Sequence, residues 1–165
     1  MHIAYLLLGG NMGNRPRLLQ AAAEAIERQL GNITGLSAVY ETAAWGKEDE
    51  PPFLNQALAL STPLAAPALM QSLLDIEQSL GRERKTRYGA RPIDIDILYY
   101  DDLVTDTPHL QLPHPRLAQR RFALVPLAEL AGGKKDPVTG KTVAEMLAAC
   151  ADQLPVKKYT ETGRL

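Results

Sequence analysis

Five cations, Arg82, Arg84, Lys85, Arg87 and Arg91, fall within ten positions against one acid, Glu83, and the run Pro92-Ile93-Asp94-Ile95-Asp96-Ile97-Leu98 follows directly. Guanidinium groups stay charged at any working pH, and their planar forks match phosphate oxygens. In the run that follows, isoleucines alternate with aspartates. On a strand, Ile93, Ile95 and Ile97 therefore share one face while Asp94 and Asp96 share the other. Carboxylates two residues apart on a strand are separated by about 6.6 Å of rise, a span over which both can lean on one or two divalent ions. Mg²⁺ suits such a pair, since it takes one or two carboxylates and completes its shell with water and phosphate oxygens. An anion clamp beside a cation site is the equipment of phosphate transfer. Taken singly each half is bland: a basic run is most often a solvated loop, and two aspartates are the ordinary solvent side of a strand. It is their adjacency, across a glycine-bounded segment from Gly81 to Gly89, that carries weight.

A site of this kind needs elements to hold it. Residues 3 to 8 read as a strand ended by Gly9-Gly10, and residues from about 15 to 30 as a helix. Leu18, Leu19, Ala22, Ile26 and Leu30 form its apolar stripe, Asn14 is placed to cap it, and Gly31 ends it. Residues 36 to 43 and 54 to 61 read as strands, and residues 67 to 80 as a second helix with Leu69, Leu73, Ile76 and Leu80 inward. The Asp94 strand comes next. The order β-α-β-β-α-β predicts an α+β fold of the ferredoxin-like kind, an antiparallel sheet flanked by helices. From about residue 101 the chain is a C-terminal extension of the same single domain. In it a helix starts at Thr142, where Thr-x-x-Glu with Glu145 is a capping-box pattern. The tail from Val156 is polar and reads as loosely held.

With 165 residues, 45% of them apolar, the chain can bury one core, and one domain spanning residues 1 to 165 is the economical count. A net charge of -1 argues against general nucleic-acid binding, because the basic run is local rather than a broad face. The single cysteine, Cys150, allows no internal disulfide and no cysteine metal site, and reads as packing on the last helix. No stretch has the length of a membrane span or the form of a signal segment. These features point to a soluble, cytoplasmic protein.

The stretch Arg87-Tyr88-Gly89-Ala90-Arg91-Pro92-Ile93-Asp94-Ile95-Asp96-Ile97-Leu98 resembles the signature of the 6-hydroxymethyl-7,8-dihydropterin pyrophosphokinase family of folate biosynthesis. Further motifs follow in the family's order: Tyr5 to Asn11, Tyr40-Glu41-Thr42, Phe53 to Ala57, Ile76-Glu77, Gly81 to Arg84, and Leu112-Pro113-His114-Pro115-Arg116 with Phe122 and Pro126-Leu127. The likeness covers about residues 3 to 130. It implies transfer of an intact pyrophosphoryl group from ATP to the pterin's hydroxymethyl oxygen, with release of AMP and attack at the β-phosphorus. It implies two Mg²⁺ ions held by Asp94 and Asp96, with Arg82, Arg91 and Asp96 as catalytic residues. It assigns Glu77, Arg84, Arg87, Tyr88, Arg91, His114 and Arg120 to ATP, with Arg121 able to share the role of Arg120. It assigns Thr42, Trp45, Phe53, Asn55 and Phe122 to the pterin, with backbone groups near Thr42 and Trp45 completing the edge contacts. No nucleic acid or membrane is implied as a partner, and the expected state is a monomer. The chain departs from the family at Ala90, where proline is commonest, and at Tyr88, where some members have tryptophan.

Beside the resemblance, each residue has a plainer reading. Gly9 to Asn14 lacks both the Gly-Lys-Ser/Thr ending and the G-x-G-x-x-G spacing of phosphate loops, and reads as a tight turn. A lone histidine such as His114, and two aromatics with an amide such as Phe53, Phe122 and Asn55, are often structural. Yet a flat heteroaromatic is well bound by rings and by an amide that donates and accepts at its edge. Residues 46 to 52, acidic, and 81 to 90, basic, read as lids, with ATP binding first and ordering the basic one. Two other classes stay open on the residues: a nucleotide-sensing module without chemistry, and a metal-dependent phosphohydrolase.

Overall fold

The computed structural model describes residues 1–43, 50–81 and 92–160. Of the lids expected at 46 to 52 and 81 to 90, residues 46–49 and 82–90 lie outside these. Strand β1 (His2–Gly10) is followed by α1 (Arg15–Gln29), β2 (Asn32–Leu36), β3 (Tyr40–Thr42), β4 (Phe53–Thr62), α2 (Ala66–Ser79) and β5 (Asp94–Tyr100). The main sheet runs β5-β1-β4-β3, with β2 also paired to β4, and the pairs β5-β1, β1-β4, β4-β2 and β4-β3 are antiparallel. This is the expected α+β, ferredoxin-like arrangement.

Three local differences from the sequence reading have physical causes. The strand expected at 36 to 43 is two strands laid end to end along β4, because Ser37 breaks the ladder: its N–H donates to the Ala57 carbonyl at 2.9 Å and its Oγ accepts from the Ala57 N–H at 2.9 Å. The first strand continues through Gly9 and Gly10 rather than ending before them, since β4 and β5 flank it and Gly9 lies opposite both Asn55 and Asp94. The tail is not loose at its start. Val156–Lys158 forms β8, which pairs with β3 and carries Tyr159, whose N–H donates to the Val39 carbonyl at 2.8 Å.

Burial splits the sheet's two faces between two cores. Leu6, Leu8, Leu58, Leu60, Ile93, Ile95 and Ile97 pack with α1 and α2, through residues such as Leu19, Ile26, Leu69, Leu73 and Ile76. Leu7, Ala57, Leu98 and Tyr99 pack on the other face with Leu117, Leu124, Leu127, Val143 and Met146. These come from a 3-10 turn (Leu117–Gln119), α3 (Arg121–Ala131) and α4 (Val143–Ala149), which follow the small hairpin of β6 (Thr105–Thr107) and β7 (Leu110–Leu112). The Asn14 cap of α1 and the Thr142/Glu145 capping box of α4 form as expected. Tyr99 fastens the extension: its hydroxyl donates to Asp136 at 2.7 Å, and Asp136 also accepts from the Val138 and Thr139 N–H groups at 2.8 and 3.0 Å. Burial, then the Asp136 carboxylate, push the Tyr99 hydroxyl pKa far up.

A bulge in β5 sets where the helix-side elements join. Leu6 pairs with Ile97 and Tyr5 with Tyr99, so Leu98 is the extra residue. Its carbonyl accepts from the His114 N–H at 3.0 Å. A bulge that frees a backbone group next to a cleft is a recurrent way to aim one.

Candidate active site

The cavity lies on the α3 side of the sheet, where β1, β3, β4 and β5 meet the start of α3. It encloses about 500 Å³ and is lined by Thr42, Phe53, Asn55, Asp94, Asp96, Arg120 and Phe122, all nominated from sequence, together with Leu7, Gly9, Ala43, Arg116, Gln119, Asp152 and Leu154.

Register explains why these side chains converge. Asp94 lies opposite Gly9, Gly9 opposite Asn55, and Asp96 opposite Leu7, which in turn lies opposite Ala57. Side chains across a row of paired strands share a face, so Asp94 and Asn55 stand on either side of Gly9. No larger residue fits between them: a Cβ built on Gly9 would lie 2.2 Å from Asn55 Oδ1. Thr42 lies opposite Phe53 in the next pair. Thr42 is buried, and its Oγ1 has no hydrogen-bond partner among the described residues. Such an atom costs roughly 1–3 kcal/mol.

The apolar side of β5 is held as the alternation predicts, with Ile93, Ile95 and Ile97 all buried. Glu77 supports it from α2. It is buried, and its carboxylate accepts the Ile95 N–H at 2.5 Å, between the two aspartates. The side chain expected on ATP is thus set against β5 and is not among the residues lining the cavity. His114 is likewise not a lining residue. Its Nδ1 accepts from the Arg116 N–H at 3.2 Å, which leaves Nε2 as the protonated nitrogen of the neutral ring. Burial first, then the Arg120 and Arg116 guanidiniums, bring its pKa down to about 4. Arg120 is lowered by burial, raised again by the carboxylate of Asp96 and lowered by Arg116, but a guanidinium remains charged throughout. Its guanidinium carbon sits 5.6 Å from the Phe122 ring centre, within cation–π range. Arg121 points elsewhere, into a shallow groove with Leu147, Cys150 and Pro155. Of these two neighbours, Arg120 is the one that lines the cavity.

At the other end, the flanks of the acidic stretch are tied to the β1–α1 connection. The Asn11 amide donates to the Pro51 carbonyl at 3.2 Å, and Arg15 bonds Glu41 at 3.0 Å and the Pro52 carbonyl at 2.8 Å. The β1–α1 connection thus anchors the chain just before β4, and Gly9, just ahead of it in β1, lines the cavity. Trp45, Arg82, Arg84, Arg87, Tyr88 and Arg91 lie outside the described residues. Sequence reasoning did not single out Leu7, Ala43, Gln119, Asp152 or Leu154 as lining residues. Arg116 was visible only as the end of Pro-His-Pro-Arg, where the rigid corner and the spacing of four to Arg120 were signals available to find it.

A donor set of two carboxylates on one strand face suits Mg²⁺, which needs no third side chain. No group of three or more His, Cys, Asp or Glu side chains placed to hold a metal occurs among the described residues, so a closed all-protein cage of the zinc type is not what they form.

Residues 5–132 match the family model described as 7,8-dihydro-6-hydroxymethylpterin-pyrophosphokinase. The chain belongs to that family. Among its relatives, the 2-amino-4-hydroxy-6-hydroxymethyldihydropteridine pyrophosphokinase of Methylorubrum extorquens is 42% identical over 88% of this chain and 91% of its own. The enzyme of that name from Porphyromonas gingivalis is 42% identical over 79% of this chain and 92% of its own. In fold, the chain is similar to the crystal structure of Plasmodium falciparum HPPK-DHPS wild type with pteroate, with a TM-score of 0.72 at 18% identity. The similarity covers 90% of this chain and 42% of that longer one. Membership makes the chain a pyrophosphokinase of folate biosynthesis, which transfers pyrophosphate from ATP to the hydroxymethyl group of 6-hydroxymethyl-7,8-dihydropterin and releases AMP.

Proposed function

We propose that the family's transfer is carried out in this one cavity, with the pterin at the Thr42, Asn55, Phe53 and Phe122 end and the ATP phosphates at the Asp94, Asp96 and Arg120 end. The observation that carries this is the shared cavity itself: the paired aspartates and a flat, apolar-and-amide wall line the same space of about 500 Å³. A nucleotide-sensing module has no need of both Asp94 and Asp96 on the ligand face, and a phosphohydrolase would admit water where the two phenylalanines stand.

The Asn55 amide both donates and accepts, which matches the edge of a pterin ring. The unpartnered Thr42 hydroxyl favours a polar ligand close by. Phe53 and Phe122 would hold the ring's faces, with Trp45 adding a backbone contact. On the nucleotide side, Asp94 and Asp96 would hold two Mg²⁺ ions. When bound, Mg²⁺ offsets charge on the triphosphate and on the departing AMP. Arg120, and with it Arg116, supplies fixed positive charge to phosphate oxygens, and neutral His114 offers only an Nε2–H. Arg82 and Arg91 would stabilise the moving pyrophosphoryl group, and Arg84, Arg87 and Tyr88 would close over ATP. Glu77 would serve the nucleotide through β5, by fixing the peptide between the two aspartates. Positioning supplies most of the rate in such transfers.

The chain would act as a monomer in the cytoplasm. In support, one chain lines both ends of the cavity, and no helix among the described residues is long and apolar enough to cross a membrane. The roles on the nucleotide side are tested by calorimetry of a non-hydrolysable ATP analogue with Mg²⁺. Asp96→Ala should lose the Mg²⁺-dependent part of the affinity, and unchanged binding would contradict the assignment.

A further inference from the structure

The match to the family model ends at residue 132, yet two of the residues lining the cavity, Asp152 and Leu154, come from beyond it. They sit in the connection between α4 and β8. Helix α3 begins at Arg121, and its N-cap residue, Arg120, makes no capping hydrogen bond. An arginine side chain has no acceptor to offer the orphan N–H groups of a first turn. Asp152 supplies one from 31 residues away: its Oδ2 accepts from the Arg121 N–H at 3.2 Å. Its other oxygen, Oδ1, accepts from the Leu154 N–H at 3.0 Å, an Asx-type turn within the connection that carries Leu154 on the cavity wall. Two residues on, Val156 pairs with Thr42, and β8 thereby closes the outer edge of β3.

One carboxylate thus links the Arg120-Arg121-Phe122 junction to the strand that backs Thr42. We infer that Asp152 is a positioning residue for the acceptor end of the site, and that Leu154 is part of the wall that shapes that end. This rests on the placement of the pterin proposed above. Asp152 acts through the Arg121 peptide, which it holds by the N–H and which sets where the next residue, Phe122, leaves the backbone. Its carboxylate also suits the positive end of α3.

The test uses full-length Asp152→Ala, Asp152→Asn and Leu154→Ala, with KM for each substrate, kcat, acceptor affinity by calorimetry and thermal midpoint. Asp152→Ala should raise the KM for hydroxymethyldihydropterin at least tenfold while the KM for ATP stays within twofold. Asp152→Asn, which keeps one accepting oxygen, should fall between it and wild type. Leu154→Ala should weaken the acceptor alone. Wild-type acceptor affinity in both alanine variants overturns the inference, as does a loss in Asp152→Ala that falls equally on both substrates and follows the folded fraction. A wild-type chain that makes no AMP with pterin present overturns the underlying reading as well, so the two failures are told apart.

Discussion

Gly9 and Asn55 face each other across β1 and β4, so close that a Cβ on Gly9 would sit 2.2 Å from Asn55 Oδ1. The absence of a side chain at Gly9 is what lets the Asn55 amide lie flat on the sheet beside Asp94. Gly9→Ala should push the amide aside and lower acceptor affinity at least tenfold, with a loss of about 1–3 kcal/mol in stability from overpacking. Calorimetry and denaturant unfolding measure the two. A variant that binds the pterin as tightly as wild type would contradict this account of Asn55.

Asp94→Ala and Asp96→Ala should each cut kcat by roughly a thousandfold, in line with the several kcal/mol that a bound metal contributes to such a transition state. Both residues are only partly buried, and their carboxylates project from the face opposite the Ile93, Ile95 and Ile97 core. Circular dichroism and the melting midpoint should therefore stay close to wild type. Full activity with Mg²⁺ in either variant would defeat the metal assignment.

His114 takes up its proton in the folded protein at about 4, against an ordinary 6.5. Between those values the unfolded chain binds a proton that the native chain does not. Stability should then fall as the pH drops from about 6.5 towards 4, by at most on the order of 3 kcal/mol, and level off below. Urea midpoints across this range for wild type and His114→Asn provide the check. The variant should lose this part of the acid sensitivity, and identical profiles would refute it.

Asp136 accepts from the Tyr99 hydroxyl at 2.7 Å and from the Val138 and Thr139 N–H groups at 2.8 and 3.0 Å, and none of these residues lines the cavity. Asp136→Ala should cost about 3 kcal/mol by leaving these donors unpaired. Below its new midpoint the variant should keep both KM values within twofold of wild type. A selective change in one KM would mean that the extension bears on the site through Tyr99 as well as through Asp152.

Much of this site could be read from residues alone where local rules decide. The alternation of isoleucine and aspartate fixed the two faces of β5, and capping chemistry marked the starts of α1 and α4, because both depend on neighbours in sequence. What escaped depended on partners far along the chain. The bulge at Leu98 has no signature in Asp94 to Tyr100. The break at Ser37 arises from its pairing with Ala57. Gly9 looked like the end of a strand because its reason is Asn55, 46 residues away. Asp152 gave no signal at all: one carboxylate in a polar stretch becomes a cap only when α4 returns it to the start of α3. Glu77 was noticed, but that its carboxylate meets the Ile95 peptide is a product of how α2 packs on β5.

The most direct measurement is AMP release from ATP and Mg²⁺ by the full-length chain, with and without 6-hydroxymethyl-7,8-dihydropterin. AMP should appear only with the pterin present, in step with a pyrophosphorylated pterin. AMP without pterin, ADP in place of AMP, or intact ATP bound without turnover would contradict pyrophosphoryl transfer in this cavity.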